Sequence, residues 1–382
     1  MNRKAVARGA RALVMLAAGA LVLPAGTARA QHGPPILPAA AAAPAPTAPG
    51  PTASTPVSAA PAQAPAAATP APSPARTAAR GAMAPVASAA APTALEPDAT
   101  AEKSDEGWTR GKAWSLGGLA GLYTGVGVWA YFAWYHGKPR NAHWEWNGDG
   151  FFGANTYAGG SDKLGHFYST HVISRLSSKL LMAGGWRELP ASLIASGLTA
   201  VYFTLIEVKD AYYYEFSVGD LMADLAGASL GVLMTNRPEI DRLFDFRVDY
   251  WPTPEYRAGF EDGDVNFAED YSGQTYILAL HLSGIPRLTD SRWTRWGRYV
   301  DLVGGFQSQN YKPEPADRNA IESQHLFFGA AVNFQAVLED LYGEPAVPGR
   351  GHMSHRILHS LFEFVSPPYT TLHIAEGQRS PA

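Results

Sequence analysis

Three short stretches carry the residues that could do chemistry. The first reads Ser161-Asp162-Lys163-Leu164-Gly165-His166-Phe167, the second Glu207-Val208-Lys209-Asp210, and the third Ser217-Val218-Gly219-Asp220, with Asp224 and Gly227 following. Asp162 and His166 are four apart, so on a helix they lie one above the other, where the carboxylate would orient the imidazole and favour its charged form. They form the candidate catalytic acid/base pair. Glu207 and Asp210 are three apart, Asp220 and Asp224 four apart, and two carboxylates on one apolar helix face repel unless something positive lies between them.

Carboxylates and an imidazole on neighbouring helices are what a bundle uses to hold a divalent metal. Asp162, His166, Glu207, Asp210, Asp220 and Asp224 are therefore candidate metal ligands, and a metal-bound water would be a nucleophile at neutral pH. The alternative is a binding or structural network, in which Lys163, Glu207, Asp210, Asp220 and Asp224 hold a ligand or one another and Lys163, Lys209 and His166 offset the acids. Beyond a divalent metal, no cofactor is indicated. Phosphate-cradling, zinc-protease and nucleophile-elbow motifs do not occur. His352, His355 and His359 would share a helix face, which reads as an amphipathic helix before it reads as a metal site.

The fold expected to position these groups is α+β: an antiparallel bundle of about four apolar helices over residues 106–240, then a small antiparallel β-region over 241–382. Residues 115–135 carry no charge and have tryptophans on both flanks, as a membrane-seated helix would. Gly117, Gly121 and Gly125 would allow close helix contact. Ser161 offers an N-cap to a second helix running to about Met182, with Asp162 in its first turn. Pro190 suits the first helical position of a third, running on to about 208. Ser217 and Asp220 resemble a capping box opening a fourth, with Gly227 and Gly231 as a close-packing face and Pro238 as its stop. Short connections make the helices antiparallel, so the start of the second, the end of the third and the start of the fourth meet at one end. The candidate residues should converge there.

With these residues in view, the chain resembles the YfiM-type family of predicted periplasmic proteins and lipoproteins of unknown function. The motifs are Asp162-Lys163-x-x-His166-Phe167, Glu207-x-x-Asp210 and Ser217-x-x-Asp220-x-x-x-Asp224-x-x-Gly227. More distantly, it is similar to VanZ-like membrane proteins. The resemblance covers about residues 108–236 and implies an address for the site rather than a reaction. This sequence departs from lipoprotein members in having no cysteine, which also removes disulfides and thiolate ligands.

The remaining features bear on compartment. Residues 1–30 have a basic start, a short apolar run and Ala28-Arg29-Ala30, the pattern of a cleaved signal peptide. Residues 31–105, mostly Ala, Pro, Thr and Ser, offer almost nothing to bury and read as a disordered linker. A net charge of -4 gives no reason to expect nucleic acid as a partner. Lysines and arginines do not separate between alternate loops, so they set no membrane orientation. In the β-region, residues 274–283, 299–307, 325–335 and 369–374 alternate as strands, with a helix over 352–365. These strands are too few to close a barrel, so a sheet lying against the bundle or the membrane surface is expected. The functional expectation is an exported envelope protein, membrane-associated, that binds or scaffolds through the acidic and histidine cluster. Its partners would be the membrane and a lipid or envelope component. The alternative is a metal-dependent hydrolase or transferase acting on a lipid-linked or other envelope substrate.

Overall fold

Helix α1 spans Arg110–Ala130 and continues as a π-helical turn, Tyr131–Tyr135. It is followed by α2 (Ser161–Ala183), α3 (Glu188–Asp210) and α4 (Val218–Asn236). The computed structural model describes residues 107–147, 150–285, 295–343 and 353–381, all within one compact unit. The expected signal peptide and linker lie outside the described residues.

Helix α2 is the axis of the bundle, and its sequence explains why. It carries small polar side chains on its inner faces: Thr170, Ser174, Ser177 and Ser178 are all buried. Thr170 and Ser178 return their hydroxyls to carbonyls one turn back, and Ser174 bonds Ser196 of α3. Small residues on both sides let backbones approach closely. A β-carbon on Gly227 would lie 2.1 Å from the Phe167 carbonyl oxygen, and one on Gly231 would lie 2.3 Å from Ser174 Oγ. The expected close-packing face of α4 is thus pressed against α2. At the far end, Leu119, Tyr123, Leu181, Ala191 and Ala195 join α1, α2 and α3 in an apolar cluster.

Three expectations about the bundle need correction. Gly117, Gly121 and Gly125 do not form a packing face, because a β-carbon at any of them would meet nothing within 4 Å; the α1 contacts fall instead at Gly111, Gly118 and Gly127. Ser161 does not cap α2. The cap position is Gly160, held at φ 87 after Ala158 and Gly159, both also left-handed, while Ser161 Oγ accepts from Ser308 in the sheet at 2.8 Å. Pro190 is the third residue of α3 rather than the first. The Ser217 cap is present, accepting from the Asp220 amide at 3.1 Å.

Two short strands, β1 (Trp146–Asn147) and β2 (Phe216–Ser217), pair in parallel beside the bundle end. The C-terminal half forms one mixed, mostly antiparallel sheet in the order β7-β3-β4-β5-β6-β8. Its strands are β3 (Phe244–Tyr250), β4 (Gln274–His281), β5 (Val300–Gln309), β6 (Ser323–Val332), β7 (Val365–Ser366) and β8 (Thr371–Arg379). Helices α5 (Pro254–Asp262), α6 (Phe334–Tyr342) and α7 (Met353–Phe362) connect or flank them. The strand β3 is absent from the expected set because it alternates apolar residues with Asp245, Arg247 and Asp249, a pattern that imitates loop polarity. Asp245 and Arg247 are instead buried: Arg247 donates to Asp245 and, at 2.9 Å, to Asp301, and His281 lies between the same two acids. Residues 334–335, expected to end a strand, begin α6, capped by Asn333.

The histidine-bearing helix is α7, but it is not simply exposed. His355 is buried against Tyr342, and His359 Nε2 lies 3.4 Å from Glu339 Oε1. His352 lies outside the described residues.

Candidate functional site

The first turns of α2 and α4 and the last turn of α3 meet at one end of the bundle, and charged residues from each of the three meet there too. Lys163 Nζ lies 3.2 Å from Asp220 Oδ1 and 3.9 Å from Asp162 Oδ2. Gly219 makes room for it, since a β-carbon there would come within 2.8 Å of Lys163 Cε. His166 stands between the acids. Its Nδ1 is 3.1 Å from Asp224 Oδ1 and 3.6 Å from Glu207 Oε1, and its Nε2 is 3.8 Å from Asp162 Oδ1. The pairing foreseen within α2 is therefore present but secondary to the cross-helix contact with Asp224.

Six of the seven candidates are brought together: Asp162, Lys163, His166, Glu207, Asp220 and Asp224. Asp210 stands apart, accepting from Tyr135 Oη at 2.6 Å. Lys209, expected among the counter-charges, turns away and lies 3.5 Å from the centroid of the Tyr135 ring. Tyr271 was not foreshadowed by any motif. It sits in a short 3-10 turn before β4 and donates its phenol to Asp162, so the sheet half of the chain completes the wall of the site. Burial, with Asp162 beside it, holds the Tyr271 phenol well above its ordinary pKa, which keeps the O–H a donor.

The electrostatics follow from burial. Asp162, Lys163, Glu207, Asp220 and Asp224 are all buried, whereas one fifth (20%) of the His166 side chain reaches solvent. Burial and the neighbouring Asp220 push the Asp162 carboxyl up to about 7, against the pull of His166, Tyr271 and Lys163. Burial alone would lower the His166 pKa; Asp224, with Asp162 and Asp220, overrides it and holds the ring well above its ordinary value. Four carboxyl groups thus face one ammonium and one imidazole.

Two sets of donor atoms lie within 4.8 Å of one another: His166, Glu207 and Asp224, and Asp162, His166 and Asp220. In the first set, Asp224 Oδ2 is sealed from solvent and has no hydrogen-bond partner. An unsatisfied carboxylate oxygen in such a place costs free energy, and a cation against it would remove that cost.

Residues 148–236, which span α2, α3 and α4, match a family model described as a predicted periplasmic lipoprotein (DUF2279). The match covers the part of the chain that supplies all of these groups except Tyr271 and Tyr135. It supports a periplasmic family of unknown function over this segment and an exported, periplasmic or envelope-associated location. No curated protein and no solved structure matches the chain.

Proposed function

We propose that this envelope protein binds a divalent cation at the end of a membrane-seated helical bundle, with His166, Glu207 and Asp224 as its ligands. The observation that carries the reading is the buried, unpartnered Asp224 Oδ2 beside two further donor atoms at ligating separation. One imidazole with two carboxylates is a nitrogen and oxygen donor set suited to a first-row ion such as zinc or manganese. Charge supports the same choice: Lys163 offsets one of the four acids, and a divalent ion with neutral His166 would offset two more. Asp162 and Asp220 would then pair with Lys163 and Tyr271 and hold the second rank of the site. The likeness to YfiM-type proteins, and the more distant one to VanZ-like membrane proteins, fits through the same motifs. Membrane seating rests on helix composition: α1 with its π turn, α3 and α4 are each long and apolar enough to cross a bilayer.

The test is elemental analysis of protein purified without chelator, with calorimetric titration of zinc and manganese into the stripped protein. One equivalent of either ion, abolished in Asp224→Asn and kept in Lys209→Ala, is the expected result. Absence of stoichiometric binding in the unsubstituted chain would sink the proposal. A second reading is a metal-dependent hydrolase or transferase acting on a lipid-linked or other envelope substrate, with Asp162 and His166 as acid and base. It is favoured by the partial exposure of His166, which gives a substrate access to the centre.

A further inference from the structure

The outer faces of α1, α3 and α4 continue one another, since Tyr202 of α3 bonds the Tyr123 carbonyl of α1 and α4 packs against α3. Between Leu189 and Val208 every exposed residue of α3 is apolar or glycine, and the exposed residues of α4 from Val218 to Leu233 are uncharged. Leu193, Val201, Leu205, Met222, Leu233 and Val128 stand out from this layer. The α3 face is about 29 Å long at 1.5 Å per residue, close to the ~30 Å of a hydrocarbon core. Trp108, Trp114 and Trp146 lie exposed toward its ends, where interfacial aromatics belong. Length alone would therefore suit a bundle that crosses.

The fourth side of the bundle argues otherwise. The sheet does not hang from one end of α2 but runs along it: Ser308 bonds Ser161, Phe246 packs on Phe167 at 4.9 Å, Tyr168 bonds the Phe364 carbonyl at 3.0 Å, and Glu363 accepts from Arg175 at 3.0 Å. From Ser161 to Arg175 these contacts cover about 21 Å of helix, roughly two thirds of a hydrocarbon core. A bundle standing across the bilayer would carry that sheet into the lipid. There β8, an exposed edge strand bearing His373, Glu376 and Arg379, would leave its outer backbone groups without partners, which hydrocarbon does not tolerate. Lys179 and Asp241, each about one third exposed (36% and 35%), bring water to the sheet side of α2 toward its C-terminal end.

Resting on the membrane reading above, we infer that the bundle lies side-on in a single leaflet, with the outer faces of α1, α3 and α4 in hydrocarbon, α2 at the boundary and the sheet in water. One layer of helices about 10–12 Å across fits the ~15 Å of one leaflet's hydrocarbon. Both ends of the bundle then open to the same compartment.

The chain has no cysteine, so introduced thiols report cleanly. The variant Arg187→Cys/Glu215→Cys places one thiol at each end of α3, both at exposed positions. It is reconstituted as the full chain into phosphatidylethanolamine and phosphatidylglycerol vesicles, floated, and treated with a membrane-impermeant polymer maleimide, and tags per molecule are counted on a gel. Side-on seating gives molecules with two tags or none, whichever way they were reconstituted. A predominant one-tag band means that the bundle crosses, which overturns this inference and leaves the membrane reading standing. Protein that fails to float overturns both.

Discussion

At the scale of single residues, the arrangement around His166 places the cost of the cluster on Asp224. Replacing Asp224 by Asn keeps the hydrogen bond to His166 and removes the charge of a proposed ligand. Zinc or manganese affinity should fall by more than the roughly 10–100-fold lost when only a supporting partner is removed. A fall no larger than that of Lys209→Ala would mark the cluster as structural. Another buried group whose protonation reports on folding lies in the sheet. Burial alone would lower the His281 pKa, but Asp245 and Asp301 on either side raise it to about 9, above the ordinary 6.5. A raised histidine contributes stability that is complete below the unfolded value and is lost as pH climbs through the folded one. His281 should therefore contribute a decline in stability, read by denaturant unfolding, from about pH 6.5 to 9, worth at most ~1.4 kcal/mol for each step of one in pH. A His281→Gln variant should start lower and show a slope reduced by that share. An unchanged slope would refute the assignment.

At the scale of elements, the two glycine patterns of the sequence separate into one that packs and one that does not. A side chain at Gly227 meets backbone of α2, which cannot move aside as a side-chain tip can. Gly227→Val should destabilise by at least the ~1–3 kcal/mol of an overpacked core, whereas Gly121→Val, pointing into open space, should leave the melting temperature within a degree or two. Equal effects would mean that α2 and α4 are not in this register. The same contrast shows how much was legible beforehand. Periodicity, the Ser217 cap and the i, i+4 acids placed three helix ends together, because each is a local signal repeated within one turn. Which glycine row faces a neighbour depends on how α1 is rotated, and nothing within α1 records that. Strand β3 escaped for a related reason: Asp245 and Arg247 look like surface until their partners Asp301 and His281, more than thirty residues away, are known. Tyr271 likewise joins the site through topology alone, more than a hundred positions from Asp162.

At the scale of the whole molecule, bundle and sheet are joined by a buried ion pair. Arg175 donates to Glu363 and to Asp241, and Lys179 also reaches Glu363. Breaking one partner of such a pair leaves a stranded charge and costs roughly 3–5 kcal/mol. Glu363→Gln should show that loss in thermal unfolding, and Arg175→Met added to it should recover part of it, because the stranded guanidinium is gone. Strict additivity of the two substitutions would show that the pair does not couple the halves.

One further consequence lies in the way the site is closed. Its carboxylates and its lysine are sealed, and the partly open element is the His166 ring. On the proposed metal reading, an ion entering or leaving would have to pass the imidazole that would also ligate it, so the ring would serve as a door as well as a ligand. Exchange would then be timed by the swing of that ring rather than by diffusion. The rate of ion loss to an added chelator should accordingly rise with chelator concentration only to a plateau, and that plateau measures how often the door opens.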